Sequence, residues 1–205
     1  MTGLREKQKE QRQKRILEAA RQLIRENDYQ TVKVEAIAAE ADLSAVTVFN
    51  YFGSKGGILL ALLAESDRHL VEKIDRLVES DFATAFEAVE TYSRTIFDHA
   101  FSFLDRRTWA HVHSISILEA ASSFGRGFMA LEQELIRLLF LLLERQKTGS
   151  LIVPDCETMI AAQVLYNVHN ARFIQFASDT TIEREIMDKL VSRDLKFILD
   201  KIRTT

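Results

Sequence analysis

Residues Thr31–Leu60 read TVKVEAIAAEADLSAVTVFNYFGSKGGILL, and the turn signals inside this stretch decide the fold. Ile37, Ala38, Ala41 and Leu43 supply apolar contacts one helical turn apart, and Val48 and Phe52 repeat the spacing on the next segment. Between them lies Ala41-Asp42-Leu43-Ser44, in which Asp42 can form the turn and Ser44 can cap the following helix. The pattern predicts two short helices, over 33–40 and 44–51. Helices of about two turns are unstable alone in water, so a third must back them. Working back along the chain, Ile16, Ala19, Ala20, Leu23 and Ile24 follow helical spacing and predict that backing helix from Lys9 to Asn27. Tyr29 is expected to pack under the two short helices.

Beyond the short helices, Gly53-Ser54 breaks the chain, and Ser54 is positioned to cap a long helix running to about Val78. Residues 58–64 are apolar on every side, as expected of a helix held between two parts of a protein. Further helical patterns cover 83–104, 107–121, 126–147, 156–177 and 182–202, with Gly125 in one of the breaks. Asp155 is the expected cap of the penultimate helix, and Thr180 with Glu183 fits a capping box for the last. The expected architecture is all-α with about nine helices. A three-helix helix-turn-helix domain over 9–55 leads into a larger helical domain over 56–205.

Composition narrows the class. Seven glycines and one proline in 205 residues are too few turn formers for a β-rich chain. The single cysteine, Cys156, excludes an intramolecular disulfide and a cysteine-rich zinc site, and suits a reducing cytoplasm. No apolar run approaches the ~20 residues needed to cross a membrane, and the polar, basic start carries no signal-peptide pattern. Net charge is −3, but residues 1–25 carry eight basic against three acidic side chains, leaving −8 on the other 180. A basic start on an acidic body fits a phosphate-facing end, or equally a solvated tail.

A helix, a short turn and a second helix is the layout that lowers its second helix into the major groove of DNA. With Val48 and Phe52 inward, Ala45, Val46, Thr47, Phe49, Asn50 and Tyr51 are left to face DNA or solvent. Asn50 is the side chain there able to pair bidentately with a base edge, most naturally adenine. Ala45 and Val46 can meet a thymine methyl. Ser44, Thr47 and Tyr51 offer hydroxyls to phosphate, and Lys55 adds charge at the next helix start.

These residues resemble the DNA-binding domain of the TetR family of bacterial transcriptional regulators. Ile37-Ala38, Ala41-Asp42-Leu43-Ser44, Thr47-Val48-Phe49-Asn50-Tyr51-Phe52 and Ser54-Lys55 follow the family pattern. The resemblance implies DNA contacts from Lys33, Ala45, Val46, Thr47, Phe49, Asn50, Tyr51 and Lys55. It also implies a ligand-binding second domain and a homodimer formed through the last two helices. Three positions depart from the pattern: Lys33 replaces a Thr or Ser, Phe49 replaces a Tyr, and Gly56-Gly57 replaces a Glu. Glycines there are expected to loosen the helix start by about 1 kcal/mol each.

In the larger half, eleven of the 13 phenylalanines follow residue 81. Phe97, Phe101, Trp109, His113, Phe128, Tyr166, Asn167, Asn170, Arg172 and Phe173 are the candidates to line a small-molecule site, with His113, Asn167, Asn170 and Arg172 as its polar groups. An Arg172 facing the cavity would favour an anion; otherwise the rings favour an apolar or aromatic compound. The same aromatic stripe also reads as plain helical core. Ile160, Val164, Val168 and Ala171, with Ile186, Leu190, Val191 and Phe197, form stripes suited to a two-fold four-helix interface.

No Gly-rich phosphate loop, nucleophile elbow or paired-histidine metal spacing is present, so an enzyme is not expected and no cofactor or metal is implied. The expectation is a cytoplasmic homodimeric repressor that binds a palindromic double-stranded DNA operator and answers to a small effector. The alternative is a DNA-binding interaction protein whose second half takes a protein partner and no ligand.

Overall fold

The computed structural model describes residues 2–203, apart from the side chains of Thr2, Leu4 and Arg5. Nine α-helices occur among the described residues: α1 Thr2–Glu26, α2 Val34–Glu40, α3 Ala45–Phe52, α4 Lys55–Val78, α5 Ala85–Phe103, α6 Arg106–Leu118, α7 Ser123–Thr148, α8 Thr158–Ser178 and α9 Arg184–Leu199. The all-α expectation holds. No single helix among them is long and apolar enough to cross a membrane.

Helix α1 continues back to Thr2, a turn and more beyond the predicted start, so Lys7, Lys9, Arg12 and Lys14 sit exposed on a helix. Its buried residues Ile16, Ala19, Ala20 and Ile24 belong to a helix that packs against α2 and α4, and α3 is held in turn between α2 and α4. Arg15 crosses to the α2–α3 turn, donating to the Ala41 carbonyl and pairing with Asp42 at 3.3 Å. Asp42 itself takes φ 52°, a left-handed conformation that aspartate tolerates better than most residues. The turn is therefore held from outside as well as by its own sequence.

Helix α4 is the shared wall. It packs against α1 and α3 on one side and against α5 and α7 on the other, burying Ile58, Leu59, Leu62, Leu63, Leu70 and Ile74. That two-sided contact explains why residues 58–64 are apolar all round. Helices α5 to α9 form the larger body, with α8 against α6, α7 and α9. An isolated antiparallel pairing of Ile152 with Arg203 ties the α7–α8 loop to the end of α9.

Side-chain caps start five helices. Ser44 accepts from Thr47 N at 3.2 Å, and Ser54 accepts from Gly57 N at 3.0 Å, both as predicted. Thr84, Asp105 and Ser122 cap α5, α6 and α7. Two predicted caps fail. Helix α8 begins at Thr158, after Glu157, rather than at an Asp155 cap. At α9, Glu183 occupies the cap position instead of answering Thr180, and Asp179 is drawn into a local turn with Thr181.

The glycines correct the sequence reading. Gly125 is not a break but lies in the first turn of α7, where a Cβ would collide with Glu119 and Ala120 of the preceding turn. Gly57 is not a loosened joint: a Cβ there would strike the Phe52 carbonyl, so the absent side chain is what lets α3 turn tightly into α4. Gly56 has only ordinary contact at 3.6 Å with Ser54 Oγ.

Adjacent glycines should therefore answer oppositely to alanine. Gly57→Ala should destabilise by about 1–3 kcal/mol through overpacking. Gly56→Ala should be neutral or stabilising by up to about 1 kcal/mol. Urea unfolding followed by circular dichroism separates the two.

Candidate functional site

Two sites emerge, a recognition face on α3 and a cavity in the larger body. On α3 only Val48 is buried, pinned to the core, and this orients the remaining side chains. Val46 is 69% exposed, and Phe49 and Asn50 are exposed beside it, while Ala45, Thr47 and Tyr51 are half-buried. Ser44 and Thr47 hydroxyls pair with each other at 2.9 Å on the exposed side. Lys33 stands exposed at the start of α2 and makes no cap there. Of the predicted residues, Lys33, Ser44, Val46, Phe49 and Asn50 are exposed, while Ala45 and Tyr51 lean on the core.

Lys55 behaves differently. Its ammonium donates to the Gln30 carbonyl at 3.2 Å and lies 4.2 Å from the Tyr29 ring centre, so burial lowers its pKa. Instead of reaching outward it clamps Tyr29. The Tyr29 ring in turn meets the His111 ring of α6 at 5.2 Å, and Asp28 pairs with Arg107 of α6 at 3.2 Å. Backbone and Arg107 hydrogen bonds hold Asp28 below the usual carboxylate range, while burial pushes Tyr29 to about 12. Helix α6 thus grips the loop that leads into the reader.

The cavity lies among α4, α5, α6, α7 and α8. It encloses about 40 Å³, room for one or two waters rather than a drug-sized molecule. Trp109, His113, Phe128, Tyr166, Asn170 and Phe173, six of the predicted residues, line it. Phe97 and Phe101 do not. They stack with Phe173 and Phe176 in a ring cluster behind the wall. Asn167 is exposed on the outer side of α8. Arg172 faces α9, paired with Asp194 at 2.5 Å, so the route it offered to an anionic ligand is closed.

Sequence reasoning missed the polar half of the lining: Ser66 and Asp67 on α4, His99 on α5, Glu132 on α7 and His169 on α8. A usable signal existed. Ser66 and Asp67 interrupt an otherwise apolar inward stripe running from Ile58 to Ile74, and a polar pair there needs a reason. Several of these groups are satisfied. Ser66 and His99 Nε2 are hydrogen-bonded at 2.7 Å, Ser93 and His169 Nδ1 at 2.7 Å, and Asn170 donates to Glu132 at 3.0 Å. Burial keeps both inner histidines neutral, His113 falling to about 4 and His169 to about 3. Burial also raises Asp67 to about 7 and lifts Glu132.

With this geometry in view, comparison with known proteins is informative. Residues 16–62 match the family of bacterial regulatory proteins called the tetR family. The fatty acid metabolism regulator protein of Bacillus subtilis is 33% identical over 81 residues, which are 40% of this chain and 41% of that protein. The matched stretch thus spans under half of that relative. A solved TetR-family regulator from Pectobacterium atrosepticum shares the fold at TM-score 0.73 with 14% identity, covering 97% of both chains. The regulator FadR of Bacillus subtilis, solved with stearoyl-CoA, superposes at TM-score 0.63 with 19% identity over 92% of this chain and 98% of that one.

The cavity's titrating groups have opposed effects on stability. His113 and His169 have folded pKa values below the ordinary 6.5, so their contribution is lost as pH falls from 6.5 towards 3–4. Asp67 is raised from 3.8 to about 7, so its contribution is full below pH 3.8 and lost as pH rises through 7. Asp67→Asn should remove that opposing slope, making stability at pH 8 higher relative to pH 5 than in the parent. Urea midpoints at the two pH values test this.

Proposed function

We propose that this chain, which belongs to the bacterial TetR family by its residues 16–62, is a ligand-responsive repressor that binds DNA as a homodimer. Residues 9–55 are its reader and residues 56–205 its sensing and pairing domain. The observation that carries this reading is the α3 surface, which sets Val46, Phe49 and Asn50 outward on a helix braced by α2 and α4. A structural helix gains nothing from offering Val46 and Phe49 to water. Against DNA, Asn50 supplies the base-edge pair and the apolar side chains meet thymine methyls. Ser44, Thr47, Tyr51 and Lys33 line up for backbone phosphates, joined by exposed Lys7, Lys9, Arg12 and Lys14 along α1.

One eight-residue helix reads too few bases for tight binding, so a second copy is required, set one groove repeat away. The outer faces of α8 and α9 are suited to bring it there. Ile160, Val164, Ile186 and Phe197 are exposed on them, Phe197 at 69%. Val191, expected on this face, instead packs inward beside Met187 and Leu195. The face is isologous by nature, because each copy presents the same two helices.

Coupling between cavity and reader runs through shared helices. Helix α4 contributes Ser66 and Asp67 to the cavity and begins at the reader. Helix α6 contributes Trp109 and His113 and grips Asp28 and Tyr29. A ligand larger than about 40 Å³ displaces the helices that line the cavity, α4 and α6 among them. That movement alters the set of the two readers, and DNA affinity falls by the ligand's differential affinity for the two arrangements.

Mobility shifts on the DNA flanking its own gene test the reader: Asn50→Ala should weaken binding by roughly 1–3 kcal/mol per half-site, and unchanged affinity refutes the assigned surface. Phe197→Glu should give a monomer by analytical ultracentrifugation and lose operator binding with its helical content intact; a persistent dimer places the interface elsewhere.

A further inference from the structure

Polar groups left without partners inside a protein are costly unless a ligand or water completes them. Three such groups line the cavity: the Asp67 carboxyl, the His113 ring nitrogens and the Tyr166 hydroxyl. Among the described residues none of the three side chains has a hydrogen-bond or ion-pair partner, and their polar atoms open onto the cavity rather than being sealed in the packing. His113 is only 7% exposed and is boxed by the edges of Trp109, Phe128 and Phe173. Tyr166 feels the charge of both Asp67 and Glu132, and all three line the same cavity.

The charge balance of the lining is one-sided. It holds two carboxyls and no lysine or arginine, and its histidines are held neutral by burial. An anion would meet two carboxyls and no cation. A plain alkyl chain would leave Asp67, His113 and Tyr166 unpaired in a dry site. A group carrying both positive charge and N–H donors can answer all three, with aromatic rings in the lining for a cation–π contact.

We propose that this cavity receives the head of a small protonated amine, seated on Asp67 with Glu132 as the second counter-charge and its apolar body against Trp109, Phe128 and Phe173. The assignment rests on the reading of the chain as a ligand-responsive regulator and names the chemical class of its effector. The cavity admits an ammonium group as it stands, and the body of the amine widens it.

Titration calorimetry on the full-length protein tests this with matched frameworks. The probes are butylamine, cyclohexylamine, benzylamine and phenethylamine, each beside its carboxylate and alcohol counterpart, with stearoyl-CoA as a separate arm. At least one amine should bind at least about tenfold more tightly than its acid and alcohol. Asp67→Asn and Glu132→Gln should each weaken that amine while still shifting operator DNA, which shows both variants folded. Tighter binding of an acid or of stearoyl-CoA overturns the amine assignment. So does the absence of binding by every amine, or an affinity untouched by both substitutions. If an acid or stearoyl-CoA releases the DNA, the regulator reading stands and only the amine falls. If no DNA fragment is bound by the parent protein, the regulator reading falls as well.

Discussion

Everything in this molecule depends on α4 being buried from two sides. Helices α2 and α3 are seven and eight residues long and cannot persist without a wall behind them. That wall is built from α1 and from the first three turns of α4, through Ile58, Leu59, Leu62 and Leu63. The same turns of α4 face α7 across the opposite surface. The reader and the body therefore share core rather than a flexible tether, and neither can shift without disturbing packing that both need.

That constraint gives meaning to the contacts that bypass α4. A single shared helix would let the reader swing about its long axis. Helix α6 removes that freedom by holding the α1–α2 loop at Asp28 and Tyr29, and Lys55 locks the Tyr29 ring from the α4 side. The Asp28–Arg107 pair is solvent-screened and of modest strength, which suits a joint that must yield, while the Tyr29 ring between Lys55 and His111 is buried.

Much of this was legible in the sequence, and the reason differs by feature. Helix existence came through because apolar periodicity reports which face is buried, and caps such as Ser44 and Ser54 came through because they act within one turn. Asp155 and Thr180 misled because short-range capping signals compete with tertiary demands: Thr158 is drawn to Glu144, and Asp179 closes its own turn with Thr181. Gly57 reads as a loosened helix start and Gly125 as a break because sequence cannot say that another backbone passes where a Cβ would stand. In the cavity, six residues were found from aromatic spacing, while Asn167 and Arg172 fell on the wrong face of α8. Polar residues on a helix are assigned to a cavity only by knowing what lies opposite.

Asp67 illustrates the last point and its consequence. One turn earlier or later on α4, its carboxyl would reach solvent or be replaced by another leucine, and the body would pack as a plain bundle. Placed between Leu63 and Leu70, it holds open a polar gap beside His113 and Tyr166 that the protein itself does not fill. A core optimised only for stability would have closed this gap, since apolar residues of similar volume pack there without the desolvation cost. Retaining three unpaired groups on α4, α6 and α8, of which α4 and α6 also hold the reader, puts the cost of the empty state where a ligand can relieve it. Stability lost at such a site is what allows a small molecule to move the reader at all, because a ligand shifts an equilibrium only by the interaction energy that differs between its two states.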